Sequence, residues 1–470
     1  MRRLLATMLL VCLSGAPVLA GPAQACAAMH ADAKKLLQDE AYDTRYLYDP
    51  AAEKGDAAAL AYQVNNLNGV RATPAKLRPV AAGLWAVRLS EWQPDATVWE
   101  RQHVEPYFHR VEREKHGGYW YRVRYFRDYP GLRESAKLLY SRVPIVRADW
   151  WFVQSSRQVD LFDNDKTGFG YYDWLRIKSQ ADFEKLIALD RKTAIRLDKE
   201  LRAAVEAGRS GVVQLDRQVE WFAAYDGDAW VTLDTFSNAN GNTAPANLER
   251  GQFKHQAVEG YGSLPWGGWV YLLADDKGGL QNSAPDKLGG SRHENHRGND
   301  LRIHVLLDCS GCHAKESGLR SIDDWARRTL KLPSKLTHDD YYKLDQLKRQ
   351  YFGDINARLE RGRDRFEKAV KLACGLTVAE AAKAHSAYYY RYVMEPWTAE
   401  RLAVSLGTTE ERLLRALKLY FEVGNKSVPN AERRRLADLE GLLAEDAAGL
   451  HVTVAEQLFG DLDRIVRLYP

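Results

Sequence analysis

The sequence predicts an α+β protein in which a mixed α/β and β-rich N-terminal region precedes a mainly helical C-terminal one. Aromatic and β-branched runs at strand spacing crowd residues 42–274, whereas beyond 321 apolar residues recur at helical spacing. At 470 residues the chain also exceeds what a single core of ordinary size encloses, so two or three domains are expected. Composition places the boundaries: 1–25 as a leader, 26–205 as a mixed α/β aromatic-rich domain, 206–300 as a β-rich module, and 301–470 as a helical domain.

The leader follows from three features. Arg2-Arg3 form a basic start and residues 4–13 an apolar core, with Val18-Leu19-Ala20 or Ala23-Gln24-Ala25 as a small-residue cleavage site. An uncleaved anchor is disfavoured, because the apolar core is shorter than the roughly 20 residues that cross a bilayer. Cys26 lacks the aliphatic residue three positions earlier that lipidation requires. The expected location is periplasmic or secreted, with no membrane span after cleavage.

In the first domain, 42–48 and 84–89 read as strands and 56–67 and 95–108 as helices. Residues 119–126 read as a strand, 143–154 continue the extended pattern, and Ser179 caps a helix over 180–189. In the second, Gly, Asn and Asp punctuate strands at 211–215, 219–225, 230–236 and 269–274, with 260–268 as an ordered loop. The aromatic clusters could form a core or an exposed platform for sugar rings. Core packing is favoured, since at strand period half of them face inward and each buries ~150–250 Å². The third region reads as helices at 321–330, 338–351, 356–372, 378–392, 398–406, 408–423 and 430–444, and the closing 452–469 as another helix or a pair of turns. Thr377, Thr398 and Thr408 are N-caps, and Gly375 and Gly407 helix ends.

One stretch carries chemistry. Cys309-Ser310-Gly311-Cys312-His313 is a C-x-x-C-H pentad, the pattern of covalent haem attachment. Thiols three apart share one side of a helical turn, where each can add across a porphyrin vinyl group while the adjoining imidazole reaches the iron. With 5 Cys and 12 His in the chain, chance supplies roughly 0.001 such matches. The competing reading is a C-x-x-C redox pair or half of a zinc site, which Cys374 with His304, His338 or His385 could complete. Export agrees with haem attachment, and it leaves Cys26 and Cys374 as the cysteines able to form a disulfide.

Net charge is +4, and removal of Arg2 and Arg3 takes it to +2. Such a balance gives no argument for a nucleic-acid partner. The chain also lacks G-x-S-x-G, H-E-x-x-H and P-loop motifs, so no hydrolase is indicated.

Together, Arg147-Ala148-Asp149-Trp150, Asp182-Phe183-Glu184, Gly211-Val212-Val213, Gly268-Trp269-Val270-Tyr271 and Leu307-Asp308-Cys309-Ser310-Gly311-Cys312-His313 follow an order similar to that in large secreted bacterial cytochrome c domain-containing proteins. The resemblance implies one haem c in a helical cytochrome-c-like segment, thioether bonds from Cys309 and Cys312, and His313 as the proximal ligand. It implies no chemistry for the upstream region.

The haem type points to one-electron transfer, with a redox partner protein whose identity the sequence does not give. A low-spin haem of that kind needs a sixth ligand, commonly Met. Met1 and Met8 leave with the leader and Met29 lies at the mature N-terminus, so Met394 is the methionine candidate. His385 or another histidine, or a vacant position, are the alternatives. A vacant position favours a haem enzyme or sensor for peroxide or a small gas, and a third reading makes the aromatic region a glycan- or partner-binding module.

Overall fold

The computed structural model describes residues 44–469 apart from 126–144, 158–169, 210–214, 236–252, 282–304, 315–320, 323–344, 423–433 and shorter breaks. The expected leader, Cys26, and most of the strand at 211–215 and of the helix at 321–330 fall outside the described residues. Helices and sheets are both present, so the α+β class holds.

A first, four-stranded sheet has the order β2-β3-β1-β6, from β1 (Thr44–Tyr48), β2 (Arg78–Ala81), β3 (Leu84–Arg88) and β6 (Ile145–Arg147). β1 runs antiparallel to β3 and parallel to β6. β4 (Arg110–His116) and β5 (Tyr119–Tyr125) form a separate two-stranded antiparallel sheet. Helix α1 (Asp56–Asn66) is buried along most of its length despite carrying Gln63, Asn65 and Asn66. Asn65 is fully paired: it donates to the carbonyls of Ala61 and Ala75 and accepts from Ala75 N–H, pinning the loop that follows.

The extended pattern expected over 143–154 stops at Arg147. There α2 (Ala148–Ser156) begins, with all nine of its residues buried. Aromatic content favours strands only weakly, and a segment apolar on every side is also how an enclosed helix reads. Asp149 in the first turn suits the helix dipole, and the bidentate Arg147–Asp149 pair (2.9 and 3.0 Å) holds the junction. Likewise, among the described residues the α-helix expected at 95–108 is the short Ala96–Arg101.

Three short helices follow, α3 (Tyr171–Leu175), α4 (Gln180–Leu186) and α5 (Arg191–Arg196). The Ser179 hydroxyl caps α4 as expected, accepting from Asp182 N–H. Next comes an antiparallel five-stranded sheet ordered β11-β10-β9-β8-β7, from β7 (Glu200–Val205), β8 (Arg217–Ala224), β9 (Gly227–Asp234), β10 (Ala257–Ser263) and β11 (Trp269–Asp275). The predicted loop at 260–268 is half strand, because Gly260 and Gly262 lie in β10. Only small residues fit there: a Cβ at Gly262 would meet Ile187 Cδ1 at 2.6 Å.

Register places Leu201, Trp221, Trp230, Tyr261 and Tyr271 directly opposite one another on the five successive strands, hence on one face. This aromatic row is covered by α7 (Ile355–Cys374). Phe366 stacks on Trp269 at 4.0 Å, the Arg358 guanidinium lies 4.6 Å over Trp221, and Arg365 pairs with Asp228. At the sheet edge, the outward N–H groups of Tyr271 and Leu273 donate to the hydroxyls of Tyr171 (3.2 Å) and Tyr172 (2.8 Å).

The C-terminal region continues with α6 (Val305–Ala314) ahead of α7, then α8 (Val378–Val393), α9 (Ala399–Ser405), α10 (Glu410–Glu422) and α11 (Val452–Leu468). Thr377 and Glu380 form a capping box for α8, Thr398 caps α9, and Gly375 and Gly407 take positive φ at helix ends. The expected cap at Thr408 lies one residue later, at Thr409, which accepts from Arg412 N–H. α8 packs on α1, α2 and α6, and one hydrophobic core runs through side chains from all three regions. Every tryptophan whose burial is described is buried, four of them (Trp92, Trp99, Trp151 and Trp174) in mutual ring contact. The aromatics of the described residues therefore serve mainly as core, with Tyr225 exposed.

Candidate functional site

Helix α6 carries the whole pentad. Val305, Leu306 and Leu307 are buried and anchor its start against α8, β11 and α2, while Cys309, Cys312 and His313 occupy its second half. Cys309 and His313, four apart, share a face. Cys309 is half-buried, beside the phenols of Tyr171 and Tyr271.

Three rings from β10 and β11 surround His313. Tyr271 stacks on it at 5.8 Å and 14°, Tyr261 lies at 5.3 Å, and Trp269 presents an edge-to-face contact at 6.1 Å. His313 itself is half-buried, so the imidazole is gripped without being sealed. The Tyr271 hydroxyl is buried with no hydrogen-bond partner among the described residues, and burial pushes its pKa well above the usual phenol value.

Behind α6 lies Tyr62 of α1. Burial raises its pKa, and the nearby Asn66 and Ser310 side chains offset part of that rise. These residues fit a haem at Cys309 and Cys312. Helix α6 carries both cysteines and the histidine, the imidazole is braced from the sheet side, and the buried Tyr271 phenol beside it has no hydrogen-bond partner among the described residues.

The other sequence candidates lie elsewhere. His385 is fully buried between Tyr62 (5.9 Å) and Phe152 (4.4 Å). Its Nε2 is 2.8 Å from Gln63 Oε1, while the Gln63 amide nitrogen donates to Ser155. The Gln63 oxygen is thus the acceptor and Nε2 carries the proton. Burial drives the His385 pKa down to about 3, so the ring is neutral.

Met394 is 51% exposed at the C-terminal end of α8. Because α8 runs antiparallel to α1, with Arg391 at Asp56 and His385 at Gln63, Met394 sits at the Asp56 end. Tyr62, the neighbour of Ser310, lies about 9 Å along α1 from Asp56.

For a zinc site, Cys374 hydrogen-bonds to the Val370 carbonyl, His304 and His338 fall outside the described residues, and no group of three or more His, Cys, Asp or Glu among the described residues is placed to hold a metal ion. Among those residues no helix is long and apolar enough to cross a membrane.

Sequence reasoning missed Tyr261 and Tyr271 as neighbours of His313. The signal was available, since Gly260-Tyr261-Gly262 and Trp269-Val270-Tyr271 alternate at strand period and put all three rings on one face.

It also missed a second buried cluster. Arg147, paired with Asp149, lies 4.3 Å under the Tyr107 ring and 5.2 Å from Trp397. Tyr388 donates to Asp49 at 2.8 Å, and Arg391 pairs with Glu53 and Asp56. Burial, then Asp149, lift Asp49 to about 6 against Arg147 and Arg391. Tyr107 and Tyr392 share a hydroxyl contact of 2.9 Å, and Tyr392 donates to Glu456, whose pKa burial pushes up to about 8. No family model matches this chain, and no curated protein or solved structure shows significant similarity to it.

Proposed function

We propose that this chain is an exported c-type cytochrome, periplasmic or secreted, that carries one haem c and transfers single electrons to or from a redox partner protein. In this reading Cys309 and Cys312 form the thioether bonds, His313 is an axial ligand, and the helical segment 301–470 is the cytochrome-c-like part of the fold. The bound haem supplies a one-electron couple. The chain's own residues would hold it: α6 carries Cys309, Cys312 and His313, and Tyr261, Trp269 and Tyr271 brace the imidazole.

The observation carrying this reading is the joint placement of the C-x-x-C-H residues on α6 with His313 held in that aromatic grip. The test is the pyridine haemochrome spectrum and intact mass of protein exported from a haem-attaching host. One covalent haem that survives acid acetone is expected, lost in Cys309→Ala/Cys312→Ala. A colourless or acid-extractable product overturns the reading.

The exposure of Met394 favours a second reading for the position opposite His313. An open or weakly held position there suits binding of peroxide or a small gas, and carbon monoxide binding to the reduced protein would distinguish it from a pure carrier.

A further inference from the structure

The pentad assigns His313 to the iron but says nothing about what sets the imidazole's rotation about its own bond. We propose that Tyr271, with Tyr261 and Trp269, is a positioning residue that fixes the rotation of the His313 ring and thereby tunes the reduction potential of the attached haem. This rests on the haem-attachment reading.

The three rings approach from different directions: one stacked face to face, one tilted at 51°, and one edge-on at 89°. An imidazole bounded in this way cannot turn without colliding with one of them. The clamp is itself held rigidly. Tyr261 and Tyr271 are register partners, Tyr261 stacks on Trp230 at 6.0 Å, and Trp269 stacks on Phe366. The backbone N–H of Tyr271 is fixed by the Tyr171 hydroxyl. Histidine orientation is one of the second-layer controls by which proteins tune a ligated metal.

Two measurements on the full-length exported protein test this. In the haem-free Cys309→Ser/Cys312→Ser protein with labelled histidine, the ring protons of His313 are expected upfield of those of exposed His451, with nuclear Overhauser contacts to Tyr271. In the haem-loaded protein, Tyr271→Leu is expected to shift the midpoint potential and the g-values of the ferric electron paramagnetic resonance spectrum, while Tyr271→Phe leaves both in place.

Absent contacts between the two rings in the haem-free protein, or a Tyr271→Leu potential equal to that of the unmutated protein, overturn the clamp. If Tyr271→Leu does not fold, the ring contacts decide. A colourless unmutated protein defeats the haem reading alone, and the same contacts then judge the clamp.

Discussion

Glu456 gives the most direct quantitative test of the second buried cluster. It sits on α11, 4% exposed, with Oε1 accepting from the Tyr392 hydroxyl and Oε2 without a hydrogen-bond partner among the described residues. Burial is the main cause of its rise from 4.5 to about 8, helped by Asp149 and Glu105 and opposed by Tyr392 and Arg157. The folded chain therefore holds this proton more tightly than the unfolded chain, and unfolding releases it between pH 4.5 and 8. The stabilisation is complete below 4.5 and is lost as the pH rises through 8. At 1.36 kcal/mol per pH unit the whole effect is about 5 kcal/mol, of which about 2 kcal/mol falls between pH 6.5 and 8.

That upper window is the informative one. Asp49, raised to about 6, gives up its contribution between 3.8 and 6. His385, lowered from 6.5 to about 3, has the opposite sign, with its contribution present above 6.5 and lost as the pH falls towards 3. Urea unfolding at pH 6.5, 7.3 and 8.0 should show the unmutated protein weakening across the window. Glu456→Gln keeps the acceptor oxygen for Tyr392 and cannot ionise, so its stability should be flat there. An unmutated protein with no slope between 6.5 and 8, or a Gln variant that keeps the slope, would refute a neutral buried Glu456.

Further expectations follow from the same contacts. Met394→Ala should leave the near-infrared and Soret bands of the oxidised protein unchanged, because the side chain is half exposed at the C-terminal end of α8; loss of a methionine charge-transfer band on mutation would return Met394 to the iron. Gly262→Ala should cost about 1–3 kcal/mol in urea unfolding, since its Cβ would press on Ile187, and an unchanged midpoint would show that Ile187 gives way freely. Truncation after residue 300 removes α8 from between α1 and α2. The fragment should bind a hydrophobic dye and precipitate, whereas a soluble fragment retaining a glycan or protein ligand would support the binding-module reading.

Local patterns were legible where one element settles its own boundaries. The capping box at Thr377 and Glu380, the Ser179 cap and the glycine ends at 375 and 407 depend on residues three or four apart, and each is found where the spacing predicts. The strand at 269–275 and the helices at 355–374 and 378–393 likewise follow their periods. Failures occur where distant residues decide. Residues 148–156 are strand-like by composition, yet the Arg147–Asp149 pair and burial on every side make them a helix. Gly260 and Gly262 signal a loop locally, but in β10 they make room for Phe183 and Ile187 from α4 and the turn after it.

The candidate site divides in the same way. Cys309, Cys312 and His313 are legible because their chemistry needs a fixed local spacing. Tyr62, Tyr171, Tyr261, Trp269 and Tyr271 reach them from one helix of the first region, a second short helix and two strands, through separations of tens to hundreds of residues. Composition draws boundaries near 205 and 300, yet His313 leans on β10 and β11 while α8, beyond it, fills the space between α1 and α2. The aromatic richness of the first 300 residues thus bears directly on the pentad, because its rings brace the ligand that the haem reading requires. A change at Tyr271 or Trp269 is therefore expected to register at the iron even though neither residue belongs to the attachment motif.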